Sequence, residues 1–499
     1  MTVDGGAHGA FLAYHEPDVI GILTLISFFL FLALSDWLAD KIFRAGLIGQ
    51  IVVGLVYGVP LANILEINWQ ETFLALGYVG LLLIIFEGGL TIRLDLLRQN
   101  FLLSTVAALL GVLTPIALSF ALLYAGFGHA PLEAFIVGTA LCSTSLGTTF
   151  VVINSASKDT DYSQTRIGTV LISAAVLDDV CGLVLVSVIH QLRGIAEDGD
   201  VNLGWIIGRP VLASGLLAIL TPLIAKFVVG PLFRRFLEKP LAKFKHVSNI
   251  LLMTLVVCAF LAIASFAGAS MLFGAFLAGA FLSSLPSKES VPSGIRDGEL
   301  GGTETTSFVS TFENYLSGPQ RFILQPLFFA SIGFAIPFVE LWTGEVIWKG
   351  VVFTILMVLS KLVVGLVVPA WDMISAVGFP SPAAPANERM SARKAASASW
   401  APATLLGTAM VARGEIGLLI IQIGLNETPF LTRRAFVIGV WAIVLNTIIG
   451  PASVGVLLKK VGNQIATDKT WGTQSKPREL DVESVMVSGG DGEEGRRSA

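Results

Sequence analysis

Long apolar runs recur along this chain of 499 residues and restrict the structures it can form. A run of about 18 residues or more is long enough to cross the hydrocarbon core of a bilayer as an α-helix. Inside a bilayer every backbone N–H and C=O group must be bonded within the protein, so such runs predict helices. Charged residues make up only 14% of the chain and hydrophobic residues 54%, which is too little charge to cover a soluble protein. The sequence therefore predicts an all-α polytopic membrane protein.

The apolar runs predict about thirteen transmembrane helices between residues 17 and 460. The predicted spans are 17–36, 45–63, 72–91, 100–126, 131–155, 165–191, 204–231, 247–266, 269–285, 321–340, 346–371, 400–425 and 432–459. The boundary between 247–266 and 269–285 has the weakest signal, because only a few residues separate the two runs. Residues 1–16 lack the basic stretch of a cleavable signal peptide, so the first span is expected to remain in the protein.

Three polar segments are predicted to lie outside the bilayer. Residues 286–320 and 373–399 are rich in Ser, Gly, Pro and Ala, which is typical of linkers. Residues 461–499 are polar and predict a disordered tail. Most Lys and Arg residues between spans fall on one side, which predicts an extracytosolic N-terminus and a cytosolic C-terminus. Arg433 and Arg434 are the exception, and the sequence leaves open whether the membrane is the plasma membrane or that of an organelle.

Two adjacent aspartates, Asp178 and Asp179, lie in the middle of the apolar stretch LISAAVLDDVCGLVLVSVI. An ionised carboxylate at this depth is costly, and such residues face a polar cavity, pair with a cation or titrate. Neighbouring positions on an α-helix point about 100° apart, so the two carboxylates cannot face the same spot. We predict that one of them faces an aqueous cavity as an ion or proton site and that the other pairs with a basic residue.

The other charged residues at depth within predicted spans are Glu87, Lys361, Arg413 and Glu415. With the two aspartates they make four acids against two bases, and this excess of negative charge predicts a site that holds a cation or protons. Lys361 is the leading partner for Asp178, because a buried lysine without a carboxylate would lose its proton. Arg413 and Glu415 are interpreted mainly as structural, and Glu87 is the suggested ion-pair partner of Arg413.

Two predicted spans, 131–155 and 400–425, have the composition of interrupted helices, with the runs LCSTSLGTTF and LLGTAMVARGEIG. Glycine and hydroxyl residues let a helix unwind and supply oxygen atoms where backbone hydrogen bonds are lost. Paired interrupted helices in two halves of a chain indicate an inverted repeat and the midplane site of a transporter. Oxygen ligands suit Na⁺ or K⁺, and the candidates in the first run are Ser143, Thr144 and Ser145.

Several motifs occur in a specific order across residues 17–460, although each motif alone is weak. They are LIGQIVVGLVYG, FEGGL, STSLGTT, ISAAVLDDVCGLVL, GASMLFGAFLAGAF, PLFFASIGFAI and VARGEIGL. In this order the chain resembles the monovalent cation:proton antiporter superfamily, in particular its second branch of Kef-type and Asp-Asp Na⁺/H⁺ exchangers. The resemblance implies thirteen helices in an inverted-repeat fold with two crossed broken helices, a dimerisation domain and a moving core domain, in a homodimer.

The resemblance also implies roles for individual residues. Asp179 would carry the transported Na⁺ or K⁺ and the protons, Asp178 would form a switchable ion pair with Lys361, and Thr144 would lie where the broken helices cross. Exchange would be electrogenic. The chain departs from some relatives at Ala175, where they place a ligating serine. It also lacks a large cytosolic regulatory domain after the last span, so gating by nucleotides is not expected.

Other functions receive less support from the sequence. A cation channel or a K⁺ efflux system on the same scaffold stays open, as does the choice among Na⁺, K⁺ and Li⁺. A membrane enzyme or sensor is disfavoured, since we find no Ser/His/Asp set, metal-ligand spacing or phosphate-binding loop in the sequence. The net charge of -4 argues against a nucleic-acid partner, and no cofactor or permanent metal is expected.

Overall fold

Helices account for most of the residues that the structure, a computed structural model, describes. The described residues are 14, 16, 18–92, 100–145, 162, 165–197, 203–237, 244–285, 307–378, 399–468 and 470–472. The principal helices are α1 (Val19–Phe43), α2 (Gly46–Tyr57), α3 (Ile67–Leu90), α4 (Phe101–Ser119), α5 (Pro131–Ala140), α6 (Arg166–Glu197), α7 (Leu203–Ile224), α8 (Lys245–Ala267), α9 (Met271–Ser283), α10 (Phe308–Tyr315), α11 (Gln325–Phe334), α12 (Gly344–Gly365), α13 (Val367–Gly378), α14 (Trp400–Ala409), α15 (Glu415–Glu427) and α16 (Arg433–Ala466).

Shorter and wider turns extend some of these helices. A π-helical segment, Phe120–Gly126, continues α4. Two more, Ala225–Val229 and Phe233–Leu237, flank the turn Gly230–Leu232 and continue α7. The turn Ser317–Pro319 and the π-helical segment Gln320–Leu324 lead into α11, and a single helical turn, Phe338–Leu341, precedes α12.

Eight helices within the described residues are long and apolar enough to cross a membrane, as judged by length and composition. They coincide with eight of the predicted spans and cover Val19–Phe43, Ile67–Leu90, Phe101–Gly126, Arg166–Leu192, Gly204–Phe236, His246–Ala267, Gly344–Ser375 and Arg433–Ala466. The other five predicted spans contain shorter or interrupted helices, namely α2, α5, α9, α11 and the α14–α15 pair. The predicted class, a helical membrane protein, is confirmed.

The helices pack in two groups. In the first group, α2 packs against α1 and α11, and α3 and α8 pack against α9. In the second group, α12 lies against α4, α14 and α16, while α5 lies against α4 and α15. Helix α6 packs against α4 in the second group and also against α7. Glycines allow the closest approaches in the first group: a Cβ atom at Gly54 would lie 2.1 Å from the carbonyl oxygen of Ala330.

The weakest predicted boundary, between α8 and α9, is a sharp turn in the structure. Helix α8 ends at Ala267, and Gly268 follows with a φ of 89°, a left-handed conformation that glycine adopts without steric cost. Ser270 then caps α9, because its side chain accepts a hydrogen bond from the backbone N–H of Leu272 at 3.1 Å. The two apolar runs are therefore separate helices.

The structure corrects three of the predicted non-membrane segments. The linker predicted at 286–320 is wrong for its last part, because α10 and the turns before α11 lie within 307–320. The linker predicted at 373–399 begins too early, since α13 continues to Gly378. The predicted disordered tail at 461–499 also begins too early, since α16 continues to Ala466 and Trp471 is buried. Residues 286–306, 379–398, 469 and 473–499 lie outside the described residues.

Candidate functional site

Helices α14 and α15 are the two halves of one interrupted helix. Helix α14 ends at Ala409, α15 begins at Glu415, and the five residues between them are not helical. The interruption predicted within 400–425 lies here. Helix α16 supports the non-helical stretch: the Thr447 hydroxyl donates to the carbonyl oxygen of Arg413 at 3.1 Å. A Cβ atom at Gly450 would lie 2.5 Å from the backbone nitrogen of Ala412, so only glycine allows this approach.

A second interruption lies directly against the first. Helix α5 ends at Ala140, and the described residues after it, 141–145, are not helical. The backbone N–H of Ser145 donates to the carbonyl oxygen of Ala412 at 2.9 Å, and the Thr144 hydroxyl lies 3.3 Å from the carbonyl oxygen of Met410. The backbone groups freed by each interruption therefore bond in part to the other. The remainder of the predicted interrupted span, including Gly147, Thr148 and Thr149, lies outside the described residues.

Asp178 forms a fully buried ion pair with Lys361. The Nζ atom of Lys361 lies 2.8 Å from Asp178 Oδ2, and both side chains have 0% exposure. Lys361 also donates to the carbonyl oxygen of Cys142 at 2.6 Å and to the Thr144 hydroxyl at 3.0 Å, so all three ammonium hydrogens have acceptors. Thr144 in turn donates to Asp178 Oδ2 at 2.5 Å. The Thr144 hydroxyl thus serves the ion pair in this conformation and is not turned toward Asp179.

Asp179 points elsewhere, as the helical spacing of the two aspartates predicts. Its side chain is only partly buried, and its Oδ1 atom accepts a hydrogen bond from the Ser143 hydroxyl at 3.0 Å. Among the described residues no basic side chain forms an ion pair with it. A carboxylate in an apolar bundle that is not fully buried and has no fixed counter-charge among the described residues is suited to exchange one positively charged partner for another.

Arg413 is also fully buried, but it binds backbone oxygens. Its Nη1 atom donates to the carbonyl oxygens of Cys142 at 3.1 Å and Ser143 at 2.8 Å. These carbonyls follow the end of α5, where a helix has unpaired acceptors and partial negative charge. The suggested ion pair with Glu87 is wrong: the Glu87 carboxylate accepts a hydrogen bond from the Gln320 side chain at 2.8 Å. Arg413, which lies in the interruption between α14 and α15, instead bonds to the interruption after α5 and links the two.

Glu415 is the first residue of α15 and is partly exposed, like Asp179. A carboxylate in the first turn of a helix is stabilised by the helix dipole. A Cβ atom at Gly182, one turn beyond Asp179 on α6, would lie 3.6 Å from the side chains of both Ile416 and Ser143, so the start of α15 packs near Asp179. Two like charges in one region of an apolar bundle disfavour a state in which both acids are ionised and unbalanced.

The sequence analysis missed two contributors to this site. One is the carbonyl oxygen of Cys142, which accepts hydrogen bonds from both Lys361 and Arg413. The other is Gly111 on α4, where a Cβ atom would lie 3.3 Å from Lys361 Nζ and 3.6 Å from Asp178 Oδ1. Every residue has a backbone carbonyl oxygen, so the residue type does not show which of these oxygens contributes to a site. The one sequence signal for Gly111 is its position as a glycine inside an apolar helix, since a glycine there lets a neighbouring helix or side chain approach closely.

Two interrupted helices that meet beside a buried acid–base pair define a class of protein: secondary transporters that bind their substrates near the membrane midplane. Comparison with known proteins identifies the family. The sequence profile of the transmembrane sodium/hydrogen exchanger family matches residues 26–460. The chain belongs to this family, and the resemblance to the monovalent cation:proton antiporters is confirmed.

Relatives and a solved structure match over most of the chain. The Na⁺/H⁺ antiporter of Enterococcus hirae is 25% identical over 450 residues, which cover 89% of this chain and 99% of that protein. The Na⁺/H⁺-K⁺ antiporter GerN of Bacillus cereus is 25% identical over 420 residues, 84% of this chain and 91% of GerN. The structure of the sodium proton antiporter MjNhaP1 from Methanocaldococcus jannaschii is similar in fold, with a TM-score of 0.59, 14% identity, and coverage of 89% of this chain and 97% of that one.

Proposed function

We propose that this protein exchanges a monovalent cation, Na⁺ or K⁺, for protons by alternating access, with Asp179 as the carboxylate that carries each in turn. One observation carries the proposal. Asp178 has a fixed, fully buried counter-charge in Lys361, whereas Asp179, the next residue, is partly exposed and accepts a hydrogen bond only from a serine hydroxyl among the described residues. The family relationship supports the same function.

The balance of charge around the two interruptions favours a monovalent ligand. Asp178 and Lys361 neutralise each other, and Arg413 adds a buried positive charge that donates to the carbonyl oxygens of Cys142 and Ser143. If Asp179 and Glu415 are both ionised, one negative charge remains in an environment of low dielectric. One alkali cation would balance it, and protons taken up by these carboxylates would balance it when the cation is absent. This argument uses Glu415 as a contributor to the local charge, a role that the sequence analysis did not assign to it.

The ligand atoms near Asp179 are hard oxygens, which suit an alkali cation. Ser143 brings its hydroxyl to within 3.0 Å of the Asp179 carboxylate. Ser145 is buried in the same non-helical stretch. We assign Asp179 and Ser143 to cation contact. Thr144 is assigned to the Asp178–Lys361 pair, because its hydroxyl donates to Asp178 and accepts a hydrogen bond from Lys361.

In the proposed cycle, deprotonated Asp179 takes a partly dehydrated cation on one side of the membrane. The second group of helices, with the site, then moves relative to the first group, and protons displace the cation on the other side. Asp178 and Lys361 separate and re-form their pair as access changes. The full architecture of this proposal is thirteen spans with crossed broken helices, an outer N-terminus, a cytosolic C-terminus and a homodimer joined through the first group.

Transport by purified protein in proteoliposomes tests this function. We expect an imposed pH gradient to drive Na⁺ or K⁺ uphill, with a rate that saturates as the cation concentration rises. Each alkali cation is tested separately, with the membrane potential clamped and unclamped, and dependence of the rate on voltage would identify electrogenic exchange. Cation flux that runs only down its own gradient and is insensitive to the pH gradient would identify a channel and refute the exchanger.

A further inference from the structure

A short segment after α16, the last helix among the described residues, folds back onto the helix that carries the two aspartates. We name it the C-terminal cap and define it as residues 468 and 470–472. Trp471 within it is 1% exposed, although it lies in a polar stretch beyond the last apolar run. The cap is therefore part of the folded protein, and its contacts show which helices it stabilises.

The backbone of the cap bonds to the beginning of α6. The backbone N–H of Arg166 donates to the carbonyl oxygen of Gly472 at 3.1 Å, and that of Ile167 donates to the carbonyl oxygen of Trp471 at 3.2 Å. The first N–H groups of a helix have no partner within the helix. Thr165 serves only one of them, the N–H of Gly168, through its hydroxyl at 3.1 Å. The cap supplies acceptors for the two preceding N–H groups, those of Arg166 and Ile167.

The Trp471 side chain ties the same end of α6 to other helices of the second group. Its indole Nε1 donates to Asp372 Oδ2 on α13 at 2.9 Å, and the Ser399 hydroxyl, at the start of α14, donates to the same oxygen. The Arg166 guanidinium lies over the indole ring at 4.7 Å, a cation–π contact. Trp471 thus links the start of α6 to Asp372 of α13, and Asp372 in turn bonds to the start of α14.

Two further features hold the cap in this conformation. The Asp468 carboxylate Oδ1 accepts hydrogen bonds from the backbone N–H groups of Thr470 and Trp471, both at 2.8 Å. A Cβ atom at Gly472 would lie 2.4 Å from the carbonyl oxygen of Asp468, so a larger residue does not fit. The turn is specified by its own residues and places the two capping carbonyls against α6.

We propose that the C-terminal cap sets the position of α6 and thereby of Asp178 and Asp179, with Trp471 as a positioning residue for ion exchange. Asp178 lies twelve residues beyond Arg166 on one continuous helix, about 18 Å along its axis. A helix transmits a displacement of its end along its length, and the Asp178–Lys361 and Asp179–Ser143 contacts depend on its axial position. The consequence for ion binding rests on the proposed exchange function.

Full-length variants test the role of the cap. Trp471→Ala removes the indole and its bond to Asp372, Trp471→Phe keeps a ring but loses the N–H, and Trp205→Ala is a matched control because Trp205 on α7 is 61% exposed. Hydrogen–deuterium exchange of the first turns of α6 is expected to become about 5-fold faster or more in Trp471→Ala, since a lost helix cap costs about 1 kcal/mol. Trp471→Phe should show a smaller increase, and Trp205→Ala none.

Transport in proteoliposomes then separates positioning from simple stability. We expect Trp471→Ala to raise the apparent KM for the cation several-fold with a maximal rate near that of the unaltered protein, and Trp471→Phe to restore most of the affinity. Unchanged deuterium exchange in α6, or a lower maximal rate with an unchanged KM, would overturn the proposal. If Trp471→Ala does not fold, hydrogen–deuterium exchange of Trp471→Phe is the test. Deuterium exchange in α6 that matches the unaltered protein would then refute the proposed role of the cap. Failure of the unaltered protein to exchange ions would refute the function and leave the deuterium result as a separate test.

Discussion

Replacing Asp179 with asparagine is expected to abolish coupled transport while the protein still folds. Asparagine has nearly the same shape and can still accept the hydrogen bond from Ser143, but it carries no charge to bind an alkali cation and no proton to release. Since Asp179 forms no ion pair with a basic side chain among the described residues, its neutralisation leaves no buried cation without a partner. The measurement is pH-gradient-driven uptake of Na⁺ or K⁺ into proteoliposomes.

Ser143→Ala provides the comparison for this variant. It removes one neutral hydroxyl from the same site and is expected to weaken cation affinity without abolishing exchange. Both variants should elute and melt like the unaltered protein, which separates loss of transport from loss of structure. Coupled transport that persists in Asp179→Asn would mean that another group, for example Glu415, carries the ions, and the assignment of Asp179 would be wrong.

The second large effect concerns the buried pair of Asp178 and Lys361. Lys361→Met leaves the Asp178 carboxylate buried without a counter-charge, and Asp178→Asn leaves the Lys361 ammonium in the same position. Breaking a buried ion pair by removing one partner costs about 3–5 kcal/mol. Each single variant is therefore expected to have a clearly lower melting temperature, measured by intrinsic tryptophan fluorescence in detergent.

The double variant Asp178→Asn/Lys361→Met tests whether the cost comes from the pair. With both charges removed, no ion is left unbalanced, and much of the stability lost in either single variant should return. Melting temperatures that fall additively in the double variant would contradict a direct pair. Transport by the stable double variant would also report whether separation of this pair is a required step.

The features of the site that sequence analysis could predict are those with a large energetic cost in a membrane. Two acids and a lysine in apolar runs are too costly to lie there unpaired, so Asp178 and Lys361 could be predicted to meet, and the structure places them 2.8 Å apart. The glycine and hydroxyl residues in LLGTAMVARGEIG predicted an interruption for a similar reason, because unwound backbone needs polar partners.

Features that depend on backbone atoms or on distant packing could not be predicted in the same way. Charge alone suggested a pair between Arg413 and Glu87, but Arg413 donates to the carbonyl oxygens of Cys142 and Ser143, and Glu87 accepts a hydrogen bond from Gln320. The sequence did not predict the ordered structure after residue 460, because a single tryptophan in a polar stretch gives no periodic signal. Its burial depends on contacts with Arg166 and Asp372, which lie far away in the sequence.

Proton release on cation binding tests most directly whether one carboxylate serves both substrates. Purified protein in weakly buffered detergent solution is mixed with increasing Na⁺ or K⁺, and the change in pH is followed with an indicator dye. Exchange at Asp179 predicts a release of protons that saturates with the cation and is absent in Asp179→Asn. Equal release from the unaltered protein and from Asp179→Asn would contradict the central claim.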